Sequence, residues 1–329
     1  MKSVSVEKNG IIFEVNYYTE LLGVIGILSD KQDYICKAGT QRNNAWYHNE
    51  VTWCFNQYRS HKIIGLLETF SEEYNFNYDA PVELVLRIGE GQSINGGALC
   101  FGRKYIEDEI FEEFVEAFED FEYKTNFENF YTEHREYYIK SINAFIEDYD
   151  KYSPLSWLIN EFADLLPLKH HINLMHSVVN SNYGILLDDR IVVNIRPYFE
   201  TRNQDHPDFS YNNIYWTTLI VHEFSHGFVN PIVLRANDFI KDINIEPYSK
   251  ILDSMCYGNN MTTYIYETVI RAIECLYVKR FFEDQFFSFQ DEYYNDGFIK
   301  IRKITDIIES SGIANIENYI VDIINVFKA

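Results

Sequence analysis

One run constrains this chain more than any other: Ile214 to Pro231, which reads Ile-Tyr-Trp-Thr-Thr-Leu-Ile-Val-His-Glu-Phe-Ser-His-Gly-Phe-Val-Asn-Pro. Its apolar residues fall nearly all round a helix rather than along one stripe, so the predicted helix has to be central and buried. Yet its middle carries His222, Glu223 and His226. Titratable groups are rarely buried without partners, so the fold must bring compensating groups to that point. Asn212 or Asn213 can cap the start of the helix. Asn230-Pro231 should end it, because a residue before proline avoids the helical region.

The spacing is also chemical. Positions i and i+4 lie on one helical face, roughly 6 Å apart. Two imidazoles so placed can point at one ion about 2.0–2.1 Å from each nitrogen. Glu223 sits beside them, able to reach a metal-activated water without ligating the metal, and the pattern is H-E-x-x-H. A catalytic zinc needs a third protein ligand. A metzincin extension would need Gly at 229 and His at 232; these are Val229 and Ile232, so that class is excluded. His48, His61, His134, His170, His171, His176 and His206 are all distant in sequence. A better source is the mostly apolar helix expected over 261–278, where Tyr264, Glu267, Arg271 and Glu274 share one face. Glu267 is the expected third ligand. A plain Glu267–Arg271 pair at i, i+4 is the structural reading of the same residues, and Glu274 is the alternative ligand.

His-Glu-x-x-His with a glutamate on a later helix resembles the gluzincin metallopeptidases. The fuller string His222-Glu223-Phe224-Ser225-His226-Gly227-Phe228-Val229-Asn230-Pro231, with Glu267 and Arg271-Ala272 behind it, resembles an uncharacterised bacterial zincin-like domain family with predicted peptidase character. Glu20-Leu21-Leu22 and Tyr58-Arg59-Ser60-His61 share the likeness, which then covers most of the chain. The resemblance implies one Zn²⁺ per chain, with Glu223 as general base. One departure stands out. Familiar gluzincins often carry an Asp four residues after the ligand Glu, holding a ligand histidine; here that position is Arg271, which cannot accept an imidazole proton. Arg271 is then expected to anchor Glu267 or a substrate carboxylate.

The expected chemistry is hydrolysis of a peptide bond. His222, His226 and Glu267 hold the metal, and Glu223 takes a proton from water and passes it to the leaving amine. A donor for the developing oxyanion is expected from Tyr264, and after it Tyr257. The strand near 191–195 is expected to pair with an extended peptide, which would bring Asn194 near the cleft. Two rivals remain: a binding module with a degenerate or structural zinc site, and a zinc hydrolase of a non-peptide amide.

Composition narrows the partners. The 329 residues carry 28 Lys and Arg against 50 Asp and Glu, a net charge of −22. That charge disfavours nucleic acid and anionic membrane surfaces. Residues 107–150 hold 15 acidic and 3 basic residues, read as a solvated helix face. No apolar run of about 20 residues is present to span a bilayer. The start lacks an apolar signal core, and the 5 scattered cysteines form no C-x-x-C pair. A cytoplasmic protein with reduced thiols is expected.

The expected fold is α+β and mainly helical: a helical N-terminal lobe over 1–165 and a zincin-like part with a small sheet over 166–329, with one two-lobed domain as the alternative. A hairpin is expected around Asn9-Gly10, and two short strands around Asp188-Asp189. Residues 81–88 suit a strand or a buried helix start, 89–102 and 198–213 read as loops, and 285–329 as closing helices.

Overall fold

The structure is a computed structural model. It describes residues 2–29, 45–74, 76, 79–89, 91, 107–162, 169–177, 182–196, 214–255, 257 and 260–328. Among them helix dominates, with one small mixed sheet, so the chain is α+β and mainly helical.

Asn9 and Gly10 both take positive φ, 53° and 76°. A two-residue hairpin turn needs that conformation, and Asn-Gly supplies it with least strain. The turn pairs β1 (Val4–Lys8) with β2 (Ile11–Val15), Val4 opposite Val15. Asn16 then caps α1 (Tyr17–Leu28), its side chain accepting from the Tyr18 and Thr19 amides. α2 (Ala45–Phe55), α3 (Lys62–Tyr74) and α4 (Asp79–Gly89) follow, then α5 (Asp108–Thr125), α6 (Phe127–Glu133), α7 (Arg135–Tyr152) and α8 (Pro154–Glu161). Residues 81–88 are therefore helical. Ala80 through Leu86 are all buried, so no polar stripe marks the helical period in the sequence.

β3 (Lys169–Leu174), β4 (Tyr183–Leu186) and β5 (Arg190–Ile195) complete a sheet of order β1-β2-β3-β5-β4. β2 and β3 run parallel, with Phe13 opposite Ile172. The strands expected around Asp188-Asp189 are β4 and β5. β5 is interior and β4 is an edge, which bears on where a peptide can add.

The chain then forms α9 (Ile214–Arg235), α10 (Ser249–Ser254), α11 (Met261–Phe281), α12 (Phe286–Asn295), α13 (Ile301–Ser311) and α14 (Ile316–Val326). α9 does not stop at Pro231 but runs one turn beyond it. An internal proline costs about 3 kcal/mol. The last turn buries Ile232 and Val233, at 4% and 0% exposure, and burying such side chains returns about 1.5–3 kcal/mol each. Packing therefore outweighs the local preference. The cap expected at Asn212 or Asn213 and the loop at 198–213 lie outside the described residues.

Two compact units emerge. One comprises Met1–Asp148, His170–Tyr183 and Val192–Tyr211; the other comprises Tyr149–Lys169, Gly184–Ile191 and Asn212–Ala329. The chain passes between them more often than a single boundary near 165 would allow. In the first, α1 packs on α2 and α4, and α3 on α5. In the second, α9 and α11 pack along each other, α8 covers α9, and α12 and α13 cover α11. The closing helices expected over 285–329 are α12 to α14. Among the described residues no helix is long and apolar enough to cross a membrane. Cys54 and Cys275 are free thiols.

Candidate metal centre

The second unit brings the sequence motif together. α9 supplies His222, Glu223 and His226 from two successive turns, and α11, packed along it, supplies Glu267. His222 Nε2 lies 3.2 Å from His226 Nε2. Glu267 Oε2 is 3.6 Å from His222 Nε2, and Glu267 Oε1 is 3.7 Å from His226 Nε2. These ligand atoms all fall within 4.8 Å of one another. Glu223 Oε2 stands 4.0 Å from His226 Nε2.

The far side of each ring is also held. His222 Nδ1 donates to Glu274 Oε1 at 2.7 Å, and His226 Nδ1 donates to Asn230 Oδ1 at 3.1 Å. Each proton so placed leaves the Nε2 lone pair facing its twin. Two lone pairs at 3.2 Å repel unless a proton or a metal ion lies between them. Glu274 is thus outside the group of His222, His226 and Glu267 and is the acceptor behind the His222 ring. It occupies the role that Arg271 cannot fill, seven residues after Glu267 instead of four. It shares the α11 face of Glu267 and is 2% exposed. Sequence held that signal, a buried acid two turns on, without saying which ring it meets.

Arg271 is committed within the site. Its Nη1 donates to Glu267 Oε2 and to the Glu267 carbonyl, and its guanidinium lies 4.3 Å over the Phe298 ring. It anchors Glu267, one of its two expected roles, while both Glu267 oxygens still face the imidazoles. Burial would raise the Glu267 pKa, but Arg271, His222 and His226 outweigh it and bring it down to about 2. Burial would lower that of His222, but Glu274, by charge and hydrogen bond, and Glu267 shift it upward. Glu223 moves up because burial outweighs the pull of both imidazoles.

β4 reaches the same place. The Gly184 amide donates to Glu223 Oε2 at 2.8 Å. A Cβ at position 184 would lie 1.7 Å from the Glu223 carbonyl oxygen, so only glycine lets the strand approach. Nothing in the sequence singled out Gly184.

Two expected residues are not part of the group. Tyr264 is fully buried, its hydroxyl donating to the Gly297 carbonyl at 2.8 Å and its ring stacked on Phe298, so it cannot serve an oxyanion. Tyr257, the second choice, is the one at hand: its hydroxyl bonds Glu267, and burial pushes that phenol up. Asn194 lies in the other unit, fully buried. Its amide donates to the Tyr183 and Val192 carbonyls and accepts from Asn173, which leaves no group for a substrate. β5 is flanked on both sides and offers no edge to a peptide, whereas β4 is the outer strand of the sheet among the described residues.

Compared with known proteins, the chain matches one family, described as Domain of unknown function (DUF4932), over residues 5–326. No curated protein and no solved structure matches it.

Proposed function

The chain belongs to the family described as Domain of unknown function (DUF4932), and from its site we propose that it is a zinc-dependent metallopeptidase with a zincin-like catalytic unit. One observation carries the reading. Donors about 2.0–2.1 Å from a tetrahedral zinc stand about 3.3 Å from each other. One donor atom from each of His222, His226 and Glu267 lies within 4.8 Å of the others, and the nearest contacts are 3.2, 3.6 and 3.7 Å, the last two through different oxygens of Glu267, so the three side chains stand close enough to share one ion. Two imidazoles and a carboxylate form a catalytic donor set, since three protein ligands leave a position open. When bound, the ion would supply Lewis acidity and lower the pKa of water toward neutrality.

The chain's own groups supply the rest. Glu223 takes the proton of the attacking water and returns it to the leaving amine. The Gly184 amide fixes the Glu223 carboxylate through Oε2, the oxygen that stands 4.0 Å from His226 Nε2. Tyr257, whose hydroxyl bonds Glu267, would serve a developing oxyanion by turning its one proton away from that carboxylate. β4 is the outer strand of the sheet among the described residues and its second residue, Gly184, touches Glu223, so an extended peptide added along β4 would run past the base.

The test is metal content and cleavage together. Zinc-loaded, desalted wild type should hold about one zinc per chain by mass spectrometry and cut members of a peptide library. Glu267→Ala should lose or weaken the zinc, and Glu223→Gln should keep it and stop cutting. No zinc in wild type refutes the reading in favour of a binding module. Zinc with Glu223-dependent hydrolysis only of non-peptide amides would change the substrate and keep the chemistry.

A further inference from the structure

His222 and His226 aim Nε2 at the same point, but what stands behind them differs. Behind His226 is one neutral amide, Asn230. Behind His222 is a chain of two groups from two other helices. Glu274 Oε1 accepts from His222 Nδ1 at 2.7 Å, and Glu274 Oε2 accepts from the Tyr293 hydroxyl at 2.6 Å. α12 thereby reaches through α11 to a ring on α9.

A carboxylate bonded through both oxygens has its rotation fixed, and it fixes the ring it accepts from. The proton stays on Nδ1 and the lone pair on Nε2. Without the tyrosine, Glu274 has a competitor close by. Arg271 lies one turn earlier on α11, feels the Glu274 charge, and packs 5.5 Å over the Tyr293 ring. The Tyr293 hydroxyl holds Glu274 toward His222, which leaves Arg271 to Glu267. The acceptors also differ in strength, since a hydrogen bond to a carboxylate is roughly twice as strong as one to a neutral amide. A stronger acceptor behind an imidazole makes the opposite nitrogen more basic.

Resting on the zinc reading above, we propose that Tyr293 is a positioning residue: acting through Glu274, it fixes the His222 ring and makes His222 the stronger of the two imidazole ligands. The expected order of effects follows. Glu274→Gln weakens zinc binding about 10- to 100-fold. Tyr293→Phe weakens it by less and adds nothing in the Glu274→Gln background, because it acts only through that carboxylate. Asn230→Ala costs less than Glu274→Gln.

The experiment uses the full chain. Zinc affinity is measured by competition with a chromophoric chelator for wild type, the three single variants and the Tyr293→Phe/Glu274→Gln double variant. Melting curves on the metal-free proteins check that each is folded. A second readout needs no metal: the hydrogen-bonded Nδ1 proton of His222, seen downfield by NMR and assigned by its loss in His222→Ala. It should move upfield in Glu274→Gln and shift or broaden in Tyr293→Phe. Additive affinity losses in the double variant, or an Asn230→Ala loss as large as that of Glu274→Gln, overturn the proposal. So does an unmoved His222 proton in Tyr293→Phe. If wild type binds no zinc, the ligand ranking falls with the metal reading, while the NMR result still decides whether Tyr293 holds the ring.

Discussion

Replacing Glu20 with glutamine should uncover a rise of stability with pH that the buried carboxyl masks in wild type. Glu20 lies on α1 and is fully buried. Oε1 accepts from the His176 amide at 2.6 Å and Oε2 from the Tyr47 hydroxyl at 2.8 Å. Burial raises its pKa from 4.5 to about 7, and the hydrogen bonds from Tyr47, His176 and Ser177 recover only part of the loss. A carboxyl raised on folding binds its proton more tightly in the native state. Its stability is fully present below 4.5 and is lost as pH rises through about 7. At about 1.4 kcal/mol per tenfold change in proton affinity, that loss is about 3 kcal/mol. His176, 2% exposed, has the opposite sign. Burial and His134 lower its pKa from 6.5 to about 3, so its stability is present above 6.5 and lost as pH falls through about 3. In wild type the two slopes cancel between pH 4.5 and 6.5. Glu20→Gln keeps a carbonyl for the His176 amide and removes only the titration. Urea unfolding at half-unit pH steps from 4 to 8 should then show the variant gaining on wild type by about 3 kcal/mol between pH 4.5 and 7.5. Any constant offset reflects the changed bond to Tyr47 and is not the test. Parallel curves would refute the argument, since they would mean that Glu20 is already charged in the native protein at low pH.

Glu223→Gln should lower the zinc-dependent hydrolysis rate about 10²- to 10⁴-fold with zinc affinity nearly unchanged, read by turnover alongside metal content. Gly184→Ala should cost about 1–3 kcal/mol or more in urea melts, because its Cβ meets backbone rather than a flexible side chain, and a smaller loss would mean that β4 can retreat from Glu223. Arg271→Met should destabilise the metal-free protein by about 3–5 kcal/mol by leaving buried Glu267 without its partner. Zinc should recover most of that loss in a thermal melt, since it binds the same carboxylate; a variant equally unstable with and without zinc would contradict this.

The sequence made the α9 motif legible because its chemistry is local: three residues within five positions of one helix fix their own geometry. Glu267 was readable at one remove, since a buried acid on an apolar helix needs a cation. That argument could not choose between Arg271 and a metal, and the site uses Arg271 on one oxygen while both oxygens face the imidazoles. Tyr264 shared the helix face of Glu267 but faces Gly297 and Phe298 across the packing, a matter of which neighbour covers which turn. Tyr293, on another helix among 26 tyrosines, carried no local signal at all. Strand position was equally hidden. β4 and β5 are both short and apolar, and only the sheet order shows that β4 is the edge and β5 is not.

The electrostatics of the cluster argue against a purely structural network. Glu223, Glu267 and Glu274 are 7%, 8% and 2% exposed, and beside them stands one guanidinium, that of Arg271. Ionised together, the three carboxylates exceed Arg271 by two negative charges in a desolvated site. Such a group costs stability that well-packed apolar residues of similar volume would not. Burial moves the Glu223 pKa up, and against burial Glu274 and Glu267 move that of His222 up. A divalent cation removes the excess outright. With Arg271 it balances the three carboxylates while both imidazoles stay neutral, the form in which they ligate. Arg271, at a position where the resemblance to gluzincins leads one to expect an acid, then has a reason to be there. Glu274 supplies the acid from one turn further along α11, and Arg271 offsets the charge that a third carboxylate brings.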